Sequence, residues 1–315
     1  MRDDEQDRVE LVAGIVRVLH ALRPYLPDLV LIGGWVPYLH RRYGTIRRWE
    51  AALSFTRELD LLLPATSLAL ENRPPLAKLL AAAGLHPTHP ATTAGAVIWV
   101  GAPERGDAIE FLVPHSGTFQ SIGSIVPIIG QTGVAAVMLP GLSIMERHTI
   151  VLQIPLLDAG ERTDEIPSEH HVVPVRVPRL GAYVVNKAIT FSMRQPRRGE
   201  RTNPKRGKDL LYLRDLMAAG AGVADAITSD VRHMLRTDTT AQFIIDAAVS
   251  NLDLVAAGSY AEAVELTATM LTEREPERTF GDATADVVGR ITDLLELLRP
   301  FRSPEREQNE HDGDE

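Results

Sequence analysis

The sequence predicts an α/β (α+β) fold, a mixed sheet flanked by helices, followed by an all-helical C-terminal domain. Three observations carry that expectation. Short β-rich runs alternate with amphipathic helices up to about residue 178, and beyond it helical patterns follow one another almost without strands. The chain has 315 residues, 44% of them hydrophobic, which is ample for two ordinary domains. It contains no cysteine, so neither a disulfide framework nor a thiolate metal site supports the fold.

Taken in order, residues 9–22 place Val9, Val12, Ile15, Val16, Leu19 and Leu22 at helical spacing, and Pro24 and Pro27 end that helix. Residues 29–32 form a β-rich run ending at Gly33-Gly34, with a helix over 35–43 behind the turn. A strand is expected over 57–63, a helix over 76–83 stopped by Gly84, and strands over 96–100 and 108–113. Residues 117–178 are rich in Val, Ile, Gly and Pro, and predict several strands without clear boundaries and a short helix over 142–147. Helices follow over 181–193, 208–219, 224–235, 241–257, 260–272 and 283–298, with a polar basic loop over 195–207. The expected domains are 1–178 and 179–302, with an acidic tail, 303–315, expected to be disordered.

The formal net charge of −9 argues at first against a nucleic-acid partner. Its location changes that. Residues 2–8 hold four acids and two arginines, and the tail holds six acids and one arginine, so most of the excess lies at the ends, both expected to be disordered and solvated. The N-terminus lacks a signal-type apolar core and no apolar run approaches the ~20 residues that span a bilayer. A cytoplasmic protein with no membrane partner is expected.

Leu31-Ile32-Gly33-Gly34-Trp35 runs a strand into a Gly-Gly turn and a helix. Glycine lets the backbone approach a phosphate, and the helix N-terminus offers free N–H groups to an anion. Plain turn chemistry produces the same pattern, and the third glycine of the dinucleotide fingerprint is absent. In Thr56-Arg57-Glu58-Leu59-Asp60, residues two apart on a strand share a face, so Glu58 and Asp60 stand side by side. Such carboxylates repel unless a cation lies between them or one is protonated, and Mg²⁺ suits oxygen donors. A solvated strand face is the alternative. Glu110 interrupts the apolar run 108–113, which is costly if it is buried and unpaired. A neighbouring strand bringing Glu110 beside the pair would complete a three-carboxylate site for two Mg²⁺ ions, with Asp107 as the alternative third acid.

Gly33-Gly34, Glu58-x-Asp60 and the later Glu110 resemble the signature of the polymerase-β-like nucleotidyltransferases. Ala182-Tyr183-Val184-Val185-Asn186-Lys187-Ala188 and Lys205-Arg206-Gly207-Lys208-Asp209 look like the lysine helix and K-R-x-K-D segment of AbiEii/MenT toxins of bacterial toxin–antitoxin systems. The resemblance covers roughly residues 29–216. It implies a nucleotidyltransferase-type sheet and Mg²⁺-dependent transfer of NMP from an NTP to an acceptor hydroxyl, with the tRNA 3′ end favoured and a cognate antitoxin as a further partner. Glu58 and Asp60 would be catalytic and hold the metals, with Glu110 as the third ligand. Gly33, Gly34 and Thr56 would face the nucleotide, Lys187 would contact the triphosphate, and Asp209 would complete the site from the helical side. The pattern departs from the family in the long interval between Gly34 and Glu58 and in Glu58 standing where Asp is usual. A phosphate on Thr56, two residues before the first acid, would oppose both metal and triphosphate and silence transfer; an antitoxin kinase is one source of it.

Residues 194–208 hold seven basic residues and one acid: Arg194, Arg197, Arg198, Arg201, Lys205, Arg206 and Lys208 against Glu200. Lying between Lys187 and Asp209, they suit an RNA backbone, to which Arg41, Arg42, Arg47 and Arg48 could add. Solvated-linker chemistry is the alternative there, a snorkelling surface lysine for Lys187, and a helix-N-terminal acid for Asp209. His170-His171 show no metal-ligand spacing. Two other functions stay open: nucleotidyl transfer to a small molecule or protein, and an inactive nucleotidyltransferase fold that serves as a binding module.

Overall fold

The computed structural model describes residues 2–46, 49, 56, 58–63, 73–88, 97–101, 108–115, 124–128, 131–155, 172–194 and 203–304. The chain divides into two units, Met1–Thr45 with Phe55–Pro178, and Ile46–Ser54 with Arg179–Glu315.

The first unit is built on a mixed sheet. Its elements are α1 (Arg2–Ala21), β1 (Val30–Ile32), α2 (Trp35–Tyr43), β2 (Glu58–Leu62), α3 (Leu76–Ala82), β3 (His86–Pro87), β4 (Ile98–Val100), β5 (Ala108–Pro114), β6 (Ile125–Pro127), β7 (Ala135–Leu139), α4 (Leu142–Arg147), β8 (Thr149–Pro155) and β9 (Val172–Pro178). Strand order is β3-β4-β5-β2-β1-β9-β8, with β7 pairing β5 and carrying β6. Parallel pairs join β2 to β5, β5 to β7 and β1 to β9, and the remaining pairs are antiparallel. The described residues of 117–178 thus form β6 to β9 and α4. β3 was not expected, because two residues are too short to show alternation. Residues 2–8, expected to be disordered, instead extend α1 toward the N-terminus, where their acids suit the helix dipole.

Side-chain alternation decides which face is core. Leu31, Leu59, Leu61, Ile109, Phe111, Val173, Val175 and Val177 join Ile15 and Leu19 of α1, Leu22 just beyond it, and Leu76 and Leu80 of α3 in one buried cluster. Each fully buried Leu or Phe contributes roughly 1.5–3 kcal/mol. Glu58, Asp60 and Glu110 occupy the intervening positions, on the opposite face. α3 is anchored from outside: Gln131 Oε1 accepts from Leu76 N at 2.7 Å, and Gln131 Nε2 donates to Tyr25 Oη at 2.9 Å.

The second unit is helical: α5 (Leu180–Met193), α6 (Pro204–Ala218), α7 (Ala221–Thr237), α8 (Ala241–Ala256), α9 (Ala261–Arg274) and α10 (Phe280–Leu298), then a 3-10 turn over Arg299–Phe301. The start of α6 differs from expectation, since residues 204–207, read as loop, are its first turn. Asn203 caps that turn by accepting from Lys205 N at 3.0 Å, and Pro204 occupies a position where its missing N–H is harmless. Further along, Gly207 lets α6 approach α9 closely, for a Cβ there would come 2.7 Å from Leu266 Cβ, and Thr267 Oγ1 donates to Gly207 O at 2.9 Å. Asn203→Ala is expected to cost about 1 kcal/mol, read as a lower urea midpoint with unchanged slope; an unchanged midpoint would show the cap to be unimportant.

Among the described residues, no single helix is long and apolar enough to cross a membrane. The acidic tail from residue 305 onward, Asp107, His170-His171, Arg47 and Arg48 lie outside the described residues.

Candidate active site

Register places the carboxylates. β2 and β5 run parallel with Asp60 opposite Glu110 and Glu58 opposite Ala108, so all three acids project from one face. Asp60 is also opposite Ile32 on β1, the residue before Gly33, and Glu58 lies two residues further toward the Gly33-Gly34 turn. Glu58 is exposed, whereas Asp60 and Glu110 are half-buried. Thr56 Oγ1 donates to Glu58 O at 3.0 Å, which ties the hydroxyl to the strand entrance.

Gly33 has a φ of +77°, and a Cβ on it would stand 2.1 Å from Asp60 Oδ2. The Asp60 carboxylate therefore occupies the space that any side chain at residue 33 would need. Gly34 then caps α2 without a side-chain hydrogen bond. For Gly33→Ala, the left-handed backbone and the collision together are expected to cost about 1–3 kcal/mol and to displace Asp60. Activity should fall by at least ~10-fold, and a Gly33→Ala variant that is stable and fully active would rule this packing out.

All the donors are carboxylate oxygens, a chemistry that suits Mg²⁺. Among the described residues, no group of three or more His, Asp or Glu side chains closes into metal-binding geometry. The fit is therefore one of donor type and strand register.

The helical unit holds the second cluster. Lys187 on α5 donates from Nζ to Asp209 Oδ1 on α6 at 2.7 Å, and Arg194 Nε donates to the other oxygen, Oδ2. Asp209 is 2% exposed and Lys187 is 8% exposed. Burial pushes the Asp209 carboxyl up, but the Lys187 and Arg194 charges and their hydrogen bonds outweigh it and hold it below the ordinary value. The Lys187 ammonium lies over the rings of Tyr183, 5.7 Å from the centroid, and Tyr212, 5.3 Å. α5 itself is fixed where Gly181 N donates to Asp230 Oδ2 on α7 at 3.3 Å. Lys187 is thus a buried, paired residue rather than a snorkelling one, and Asp209 sits in the second turn of α6, past the helix N-terminus.

The basic segment divides. Arg194 is held by Asp209. Arg206 donates from Nη2 to Ser192 O at 3.3 Å and lies 5.5 Å above the Tyr260 ring, which meets Phe191 edge-on. Lys205 and Lys208 are exposed on α6, as are Arg41 and Arg42 on α2. Arg197, Arg198 and Arg201 lie outside the described residues.

A family model described as "Nucleotidyltransferase" matches residues 10–224, about two thirds of the chain. The chain belongs to the nucleotidyltransferase family. No curated protein and no solved structure gives a match. The nucleotidyltransferase assignment spans both clusters, from the Gly33-Gly34 turn to α6.

Sequence reasoning about this nucleotidyltransferase did not find the pairing of Arg194 with Asp209, because Arg194 follows the end of α5 and obeys no periodicity. Tyr183 and Tyr212 were findable. Tyr183 precedes Lys187 by four residues and Tyr212 follows Asp209 by three, both spacings that share a helix face.

Proposed function

We propose that this nucleotidyltransferase moves NMP from an NTP to the 3′ end of tRNA in a Mg²⁺-dependent reaction, in the cytoplasm, as the toxin of a toxin–antitoxin system. The observation that carries the reading is the parallel pairing of Asp60 with Glu110, with Glu58 on the same face and Gly33 packed on Asp60. Glu58 and Asp60, with Glu110 as third donor, would hold Mg²⁺, which when bound supplies Lewis-acid stabilisation of charge developing on phosphate oxygens. The chain's own parts do the positioning. The Gly33-Gly34 backbone and the start of α2, which has no side-chain cap, would face phosphate. Lys187 is the helical unit's candidate for the triphosphate, with Asp209 paired to it. Lys205 and Lys208, with Arg197, Arg198 and Arg201, are the candidates for RNA backbone.

The test incubates the protein with each labelled NTP, Mg²⁺ and total tRNA. One nucleotide appended to tRNA 3′ ends, and lost on chelation, is the expected result. Labelling of a protein or small molecule would replace the acceptor. A second reading, an inactive binding module, is favoured by Glu58 in place of Asp. It predicts no labelling at all and no thermal stabilisation by Mg²⁺ and NTP.

Thr56→Glu sets a negative charge at the strand entrance beside Glu58 and is expected to lower transfer by ~10²-fold with the melting temperature unchanged. Full activity would dismiss control at Thr56, with or without an antitoxin kinase.

A further inference from the structure

The Lys187–Asp209–Arg194 cluster carries more positive charge than its own carboxylate balances. Two cations share one buried acid, one on each oxygen. Both Asp209 oxygens are taken by N–H donors, and its carboxyl stays ionised because its pKa is held down, so the cluster keeps a net positive charge. The Lys187 ammonium is buried and compensated by Asp209, whereas the Arg194 guanidinium, 27% exposed, presents its charge toward solvent. The Tyr183 and Tyr212 ring faces soften the burial of the ammonium without supplying an anion. Among the described residues, the guanidinium of Arg194 hydrogen-bonds only to Asp209, and only through Nε. Its two terminal amino groups form a planar pair of donors suited to a bidentate phosphate contact. Asp209 fixes the direction of that pair.

We propose that Arg194, with Lys187, forms one polyphosphate-binding subsite on the helical unit, and that Asp209 is the positioning residue that orients both cations rather than a metal ligand. The ligand is the polyphosphate of a nucleoside triphosphate, so the proposal deepens the nucleotidyl-transfer reading and rests on it. It also separates Arg194 from the exposed Lys205 and Lys208, which keep the RNA role.

Binding of inorganic tripolyphosphate, measured by titration calorimetry in Mg²⁺ buffer, tests this without requiring turnover. Arg194→Ala is expected to weaken binding by ~10-fold or more and to raise the KM for NTP to match, leaving the KM for tRNA within about twofold. Arg194→Gln keeps a donor for Asp209 but removes the charge; it should show the same loss and covers the case in which the alanine variant misfolds. Lys205→Ala should do the reverse, raising the KM for tRNA and lowering its salt dependence while tripolyphosphate binding stays unchanged. Unaltered tripolyphosphate binding in the Arg194 variants, or none by the wild type, overturns the subsite. If the wild type transfers no nucleotide to any acceptor, the nucleotidyl-transfer reading fails, and the tripolyphosphate titration still decides on Arg194.

Discussion

Asp60→Ala is expected to reduce nucleotidyl transfer by at least ~10²-fold while the protein stays folded. Asp60 stands at the centre of the carboxylate face, opposite Glu110 on one strand and Ile32 on the other, with Gly33 packed on its Oδ2. Glu58 and Glu110 share that face with it, and activity lost at an unchanged unfolding midpoint is the diagnostic. Labelled NMP incorporation and urea unfolding on the same preparation measure them together. A variant that loses activity only because it unfolds would make Asp60 a structural residue, and one that retains full activity would remove the site from this face.

The carboxylate face was legible in the sequence because strand chemistry is local and periodic. Glu58 and Asp60 are two apart, Glu110 breaks an otherwise apolar run, and the parity of Leu59, Leu61, Ile109 and Phe111 already assigns the acids to the face away from the core. The pairing of Asp60 with Glu110 was only a conditional expectation, because strand register depends on contacts some fifty residues apart that no window contains. The same limit applies to the helical unit. Lys187 and Asp209 were legible as candidates, yet their burial was not, since a lysine among Val184, Val185 and Ala188 reads equally as a surface residue. Arg194 and Arg206 were counted with an RNA-facing loop from composition alone. Their internal partners, Asp209 and Ser192, come from the packing of α5 against α6. Charge counts locate cations along a chain but do not reveal which of them the fold engages itself.

That engagement makes a strong prediction for the helical unit. Asp209→Ala leaves Lys187 and Arg194 facing each other without their carboxylate in a buried position, and is expected to destabilise by about 3–5 kcal/mol. Replacing the two buried partners, Lys187→Met with Asp209→Leu, should recover much of that loss, because the buried ammonium and carboxylate leave together and the part-exposed Arg194 can be solvated. The pH dependence supplies a sign. Burial opposes ionisation of Asp209, but the two cations win and its carboxyl titrates below the ordinary 3.8. A carboxyl with a depressed folded-state value stabilises fully above its unfolded value and loses that contribution as pH falls through the folded one. The gap in unfolding free energy between wild type and Asp209→Asn should therefore be constant near neutrality and shrink once the pH drops below about 4. Urea unfolding repeated along a pH series measures it. A gap independent of pH, or one widening in acid, would mean that the ion pair does not hold α5 to α6, and the orientation of Lys187 would need another cause.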